Sequence, residues 1–328
     1  MILVKKTIKF VIPLTFLLLV ATAFSQIPIT PLDKKKLEQK EDTLQQISNY
    51  MLGDTIAAGR LLAYKDFVPV FLRALKIKNS FYYPFDSLYG ISRLYAPDSS
   101  FRIFTWYVDV DDQPGFHRGF IQMNTKNGLL KGFVLFDNSE WESNPNSVVC
   151  KDSTWIGATY YNIIKTQSQG KNYYTLFGFD HNNFRSSKKW IDVLTFNQKN
   201  EPVFGGPYFS YEEDSIKKPT LSRFSIEYKK AARTLVNYIP DMQVILVDHL
   251  ISETDQDDLP WTFVPDGDYE GFKWQNGKWT HIDKVFTFKL QDGQAPIDDP
   301  LLDPNGNRDE KKLKEKNDKN KKKEGSGL

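Results

Sequence analysis

Apolar positions recur at helical spacing in the first part of the chain and at strand spacing after it. Leu37, Leu44, Ile47 and Met51 fall on one helical face, opened by Thr30-Pro31 and stopped by Gly53. A Thr cap followed by Pro at the first helical position is a helix start, because Pro lacks only an N–H that the helix leaves unpaired there. Asp54 predicts the cap of a second helix carrying Ile56, Leu61 and Leu62. Asp66 predicts the cap of another, with Pro69 in its first turn and Phe67, Val70, Phe71, Ala74 and Leu75 as its apolar stripe. Two or three helices are therefore expected before residue 80.

From Phe81 the period changes to two. Short aromatic and β-branched runs alternate with Gly, Asn, Asp and Pro clusters, the signature of antiparallel β structure. Strands are predicted over 91–95, 101–110, 117–124, 130–137, 155–166, 172–180, 188–197, 202–205, 221–228, 233–239, 242–250, 261–264, 270–275, 278–282 and 285–290. Phe224, Ile226 and Tyr228 alternate with Arg223, Ser225 and Glu227, so that strand has one buried face. In 101–108 both faces are apolar: Phe101, Ile103 and Tyr107 oppose Phe104, Trp106 and Val108, which predicts cover on both sides. Asn276-Gly277 is a type I′ hairpin signal that sets Trp274 opposite Trp279 and Phe272 opposite His281. Asn127-Gly128 is a second such turn. No crossover-length helical pattern separates the later strands, so parallel pairing is not expected. The fold class is mainly β with N-terminal helices (α+β), built as a large antiparallel meander, sandwich or barrel-like sheet. No fixed repeat supports a propeller.

The ends of the chain add compartment. Lys5, Lys6 and Lys9 precede an apolar run from Phe10 to Ala23, followed by small residues around Ala23 and Ser25. This pattern predicts a signal peptide over 1–25 and an exported mature protein. The run of about 14 residues is short of the ~20 that span a bilayer, and no later segment is apolar enough for a membrane helix. The sole cysteine, Cys150, lies far from the cleavage region, so a lipid-anchored lipoprotein and an internal disulfide framework are both excluded. The expected layout is a helical segment over 26–80, a β body over 81–291 and a disordered Lys-rich tail over 292–328. The chain of 328 residues carries a net charge of +2, which hides an acidic body between a basic leader and a basic tail. The tail from Lys311 to Lys323 suits an anionic envelope surface, and export argues against a nucleic-acid partner.

The runs 155–164, 173–180, 187–196 and 202–205, together with 80–88, resemble a family of uncharacterised secreted proteins from Bacteroidetes-type Gram-negative bacteria. The resemblance covers roughly residues 50 to 285. It implies no activity, substrate or catalytic residue. His181 and the Lys-rich tail depart from the pattern.

Candidate chemistry is sparse. There is no G-x-S-x-G, H-E-x-x-H, P-loop or G-x-G-x-x-G, and no cofactor is expected. Ser215 to Lys218 matches S-x-x-K without its companion motifs. His117, His181, His249 and His281 share no metal-ligand spacing. Asp109, Asp111 and Asp112 end a strand and are the candidate oxygen ligands for a metal such as Ca²⁺, with Asp255, Asp257, Asp258, Asp266 and Asp268 in other loops; Asp side chains equally build turns. The turn after the 172–180 strand concentrates Asp180, His181, Asn182, Asn183 and Arg185, a candidate recognition surface. Trp274 and Trp279, with Trp141, are the aromatic candidates for stacking on a ligand, although most of the 47 aromatic residues must form core. The leading function is a non-enzymatic exported binding or interaction protein. The alternative is a hydrolase, for example on glycans, using dispersed carboxylates.

Overall fold

The computed structural model describes residues 29–111 and 113–286. The chain divides into two compact units, the first ending at Asp283 and the second beginning at Lys284. The predicted leader and the Lys-rich tail lie outside the described residues, as does most of the predicted 285–290 strand. Lys284 to Phe286, the described part of the second unit, form no regular element.

Helix α1 (Pro31–Gly53) starts where Thr30-Pro31 predicts, and Thr30 Oγ1 accepts the Asp33 N–H at 3.1 Å. Its buried stripe is Leu37, Glu41, Leu44, Ser48 and Met51. Helix α2 (Ala57–Leu75) is continuous through Asp66 and carries Pro69 in its interior. This corrects the expected helix start at Asp66. Pro69 forfeits a hydrogen bond to the Lys65 carbonyl. Both residues are on the exposed side, where water can take that acceptor, while Phe67, Val70 and Phe71 stay buried.

Three sheets follow. The first has strands β1 (Ser92–Tyr95), β2 (Phe101–Val110), β3 (Gln113–Met123) and β4 (Gly132–Phe136) in antiparallel order. The second contains β5 (Thr159–Ser168), β6 (Lys171–Asp180), β7 (Ser186–Phe196), β8 (Pro202–Phe204) and β10 (Phe224–Lys229), ordered β10-β7-β6-β5 with β8 on the end of β7. The third contains β9 (Phe209–Ser210), β11 (Val236–Ile239), β12 (Val244–Ser252), β13 (Phe263–Gln275) and β14 (Lys278–Ile282), ordered β11-β12-β13-β14-β9. β13 merges the two strands predicted over 261–264 and 270–275. β9 lies outside the predicted strands, and β14 pairs with it in parallel, while the other named strands pair antiparallel. Among the described residues the sheets close into neither a barrel nor a propeller.

The three apolar clusters show the layering. One lies between the helices and the first sheet, with Phe71 against Phe104 at 5.0 Å and Phe67 against Trp106 at 5.4 Å. The next joins Phe101, Ile103 and Ile121 of the first sheet to Tyr160, Leu176 and Leu194 of the second. The last joins Phe177, Ile191 and Ile226 to Ile245, Val247, Phe272 and Trp279 of the third. β2 therefore faces cores on both sides, as its two apolar faces predict. The Asn276-Gly277 turn has φ of 49° and 82°, and Trp274 pairs with Trp279 across it. Arg102 of β2 is fully buried with no carboxylate partner in its hydrogen bonds. It donates to the carbonyls of Ser80 and Tyr83 and lies within 5.7 Å of the Phe81, Phe85, Tyr95 and Phe104 rings. Burial brings its pKa down to about 10.

Candidate functional site

A cleft of about 400 Å³ opens where the end of α1, the end of β2, the start of β5 and the end of β6 converge. Met51 and Leu52 come from α1, and Tyr107 and Asp109 from β2. Thr159 opens β5, Phe179 ends β6, and His181 begins the turn after it. Gly90 closes one wall. Its φ of +74° favours glycine, and the Leu52 side chain fills the space a Cβ would take.

The aromatic groups are packed on one another. The Tyr107 ring stacks on His181 with centroids 4.3 Å apart, and Phe179 meets His181 edge-on at 4.9 Å. His117 lies 5.0 Å from Tyr107. Burial, helped by the charges of Asp109 and Asp180, pushes the Tyr107 phenol up to about 12, so it is protonated at neutral pH. Burial first, then the charges of Lys230 and His117, pushes His181 below the usual histidine range and keeps the imidazole neutral. Lys230 Nζ donates to the His181 carbonyl at 2.7 Å, which fixes the residue's place.

The predicted recognition loop divides into one lining residue and its supports. His181 lines the cleft. Asp180 accepts the Asn182 N–H at 2.7 Å and the Trp190 indole N–H at 3.4 Å, so both of its oxygens are engaged. Asn182 has φ of 54° and donates its amide to Ser186 Oγ and Glu227 Oε1. Asn183 Oδ1 accepts the N–H groups of Arg185 and Ser186. The Arg185 guanidinium lies over the rings of Phe184 and Trp261, at 5.3 and 5.0 Å. These residues hold the turn that presents His181.

The predicted metal ligands also separate. Asp109 lines the cleft beside His181. Asp111 instead caps α2: it accepts the Ala57 N–H at 2.9 Å and pairs with Arg60, whose hydrogen bond holds its carboxyl below the usual range. Arg60 is buried and donates Nε to the Asp109 carbonyl at 2.9 Å and Nη1 to the Asp54 carbonyl at 2.6 Å. One guanidinium thus ties the α1–α2 turn to the end of β2 and sets the width of the cleft. Asp112 lies outside the described residues. Among the described residues no group of three His, Cys, Asp or Glu is arranged to hold a metal ion.

The tryptophans lie elsewhere. Trp279 is fully buried and donates its indole N–H to Thr175 Oγ1 at 3.0 Å. Trp274 packs on Tyr173 at 5.2 Å, and Trp141 is 81% exposed. The lining residues that sequence reasoning missed are Met51, Leu52, Gly90, Tyr107, Thr159 and Phe179. Only Tyr107 carries a signal, as a phenol two residues before Asp109 on one face of its strand.

The other three histidines lie against carboxylates, with the exposed His249 Nδ1 2.8 Å from Asp266. His281 is buried between Asp214, 2.8 Å from Nδ1, and Glu270, 3.0 Å from Nε2. Burial pushes its pKa down, but the hydrogen bonds to Glu270 and Asp214 outweigh this and the net shift is upward. His117 Nδ1 lies 3.4 Å from Asp137. Burial opposes the Asp137 charge, yet His117, Ser139 and the backbone donors hold that carboxyl far below its usual range.

Comparison with family models, with curated proteins and with solved structures finds no match.

Proposed function

We propose that the chain is an exported binding protein, of the secreted Bacteroidetes-type family it resembles, which holds a small organic ligand between Tyr107, Phe179 and His181. The observation that carries this reading is the cleft itself. Its volume of about 400 Å³ falls in the ~300–1,000 Å³ range of small-molecule sites, and it combines apolar and aromatic walls with a few fixed polar groups. Tyr107, Thr159, Asp109 and His181 supply those polar groups. Asp109 is the one carboxylate among the lining residues, and Asp180 next to His181 has both oxygens engaged. That favours binding over a two-carboxylate hydrolysis, which needs a second acid facing the ligand.

Saturation-transfer NMR with a small-molecule library tests the reading. Hits should perturb Tyr107, Phe179 and His181 and should be lost in Leu52→Trp, which fills the cleft. Absence of hits, or hits indifferent to Leu52→Trp, would reject it. Export is tested by N-terminal sequencing of protein recovered from the native envelope, which should begin near Phe24 or Gln26. A tether from Lys311 to Lys323 would bind anionic vesicles less well as salt rises, because exposed charges are screened over ~8–10 Å at physiological ionic strength.

A further inference from the structure

We propose that the cleft selects an organic cation, an ammonium head on a compact apolar body, over neutral or anionic molecules of the same shape. The inference rests on the cleft being a ligand site and adds the charge of the ligand. Asp109 is the single carboxylate among the lining residues, which include no Lys or Arg. Its carboxylate is exposed, and among the described residues no hydrogen bond or ion pair engages it. The two nearby cations are already committed. Arg60 gives its N–H groups to Asp54, Asp109 and Asp111, and Lys230 gives its ammonium to the His181 carbonyl. Asp109, Asp111 and Asp180 thus outnumber these two cations in formal charge, and Asp109 is the charge that acts most strongly on Tyr107.

The walls suit the same ligand. Aromatic rings attract cations through their negative faces, and methylated ammonium groups use such surroundings best, since they are more weakly hydrated than a primary ammonium. Tyr107 and Phe179 provide the rings, and the neutral His181 adds no repelling charge. Met51 and Leu52 offer the apolar floor for the body of the ligand. An anion would meet the Asp109 carboxylate, unpaired among the described residues, while Lys230 is held at the His181 carbonyl by one hydrogen bond.

The test is a matched panel measured by titration calorimetry on the mature protein. Choline is compared with its neutral carbon isostere, and phenethylamine with phenethyl alcohol and phenylpropionate. Acetyl-lysine amide stands for an ammonium carried on a peptide. At least one ammonium ligand should bind about tenfold more tightly than its neutral partner. Asp109→Asn should abolish that preference, bringing the ammonium ligand and its neutral partner to equal affinity, with the melting temperature unchanged. Tighter binding of acetyl-lysine amide than of the free amines would assign the cation to a peptide side chain. Equal binding of cation and isostere, or a preference that survives Asp109→Asn, overturns the proposal while the cleft reading stands. If no member binds in a manner blocked by Leu52→Trp, the cation proposal is overturned, and the cleft reading is decided by the library screen.

Discussion

Asp214→Asn removes one of the two carboxylates that hold His281, and its cost can be reasoned from the geometry. Nδ1 and Nε2 each lie within 3.0 Å of a carboxylate oxygen, so both nitrogens must carry protons and the ring is an imidazolium. The His281 side chain is 2% exposed, with Asp214 at 10% and Glu270 at 22%. Tyr211 and Phe272 pack on the ring at 4.9 and 5.1 Å, and Lys218 lies over Tyr211. Removing one partner of a buried pair costs ~3–5 kcal/mol. The remaining Glu270 contact puts Asp214→Asn at about 3 kcal/mol, a fall in Tm of ~6–12 °C for a body of this size. The pH dependence has a definite sign. The folded His281 pKa is above its unfolded value of about 6.5. Its contribution is therefore complete below pH ~6.5 and is lost as pH rises through the folded pKa. Thermal unfolding of wild type and His281→Gln between pH 5 and 9 isolates this term. The Tm advantage of wild type should be largest at the acid end and shrink toward pH 9. Hydrogen exchange around Asp214, in the connection between β9 and β10, should speed up over the same interval. A pH-independent difference, or an Asp214→Asn protein as stable as wild type at pH 6, would refute the imidazolium assignment.

Arg60→Ala should destabilise by ~2–4 kcal/mol through its lost hydrogen bonds and weaken cleft binding, with Arg60→Lys a poor rescue because one ammonium cannot replace the fork; urea unfolding and ligand titration measure both. Arg223 and Asp192, at 0% and 3% side-chain exposure and 3.0 Å apart, should cost ~3–5 kcal/mol when either partner alone is removed. Arg223→Met with Asp192→Leu should recover much of that loss in chemical denaturation. Cys150 is 4% exposed and burial raises its thiol pKa, so a thiol reagent should label it only on unfolding, at a rate that reports global opening.

Elements governed by neighbours a few residues apart were readable from sequence. Thr30-Pro31 starts α1 through a cap contact three residues long. Asn276-Gly277 sets the Trp274–Trp279 register because both turn residues take positive φ. The doubly apolar run of β2 announces cores on both its faces. Where the outcome depended on distant partners, the sequence was silent or misleading. α2 runs through Asp66 and Pro69 because packing on β2 outweighs one hydrogen bond forfeited on the exposed side. The division of the strands among three sheets follows from which faces find a mate, and strand periodicity is the same in every arrangement. His281 meets Asp214 across 67 residues. Asp109 and His181 carried separate expectations, yet they share one cleft because β2 and β6 end on the same side of stacked sheets. Local backbone preference selects helix, strand and turn. Only tertiary packing decides which side chains share a cavity, because that depends on long-range burial that no short window of sequence contains.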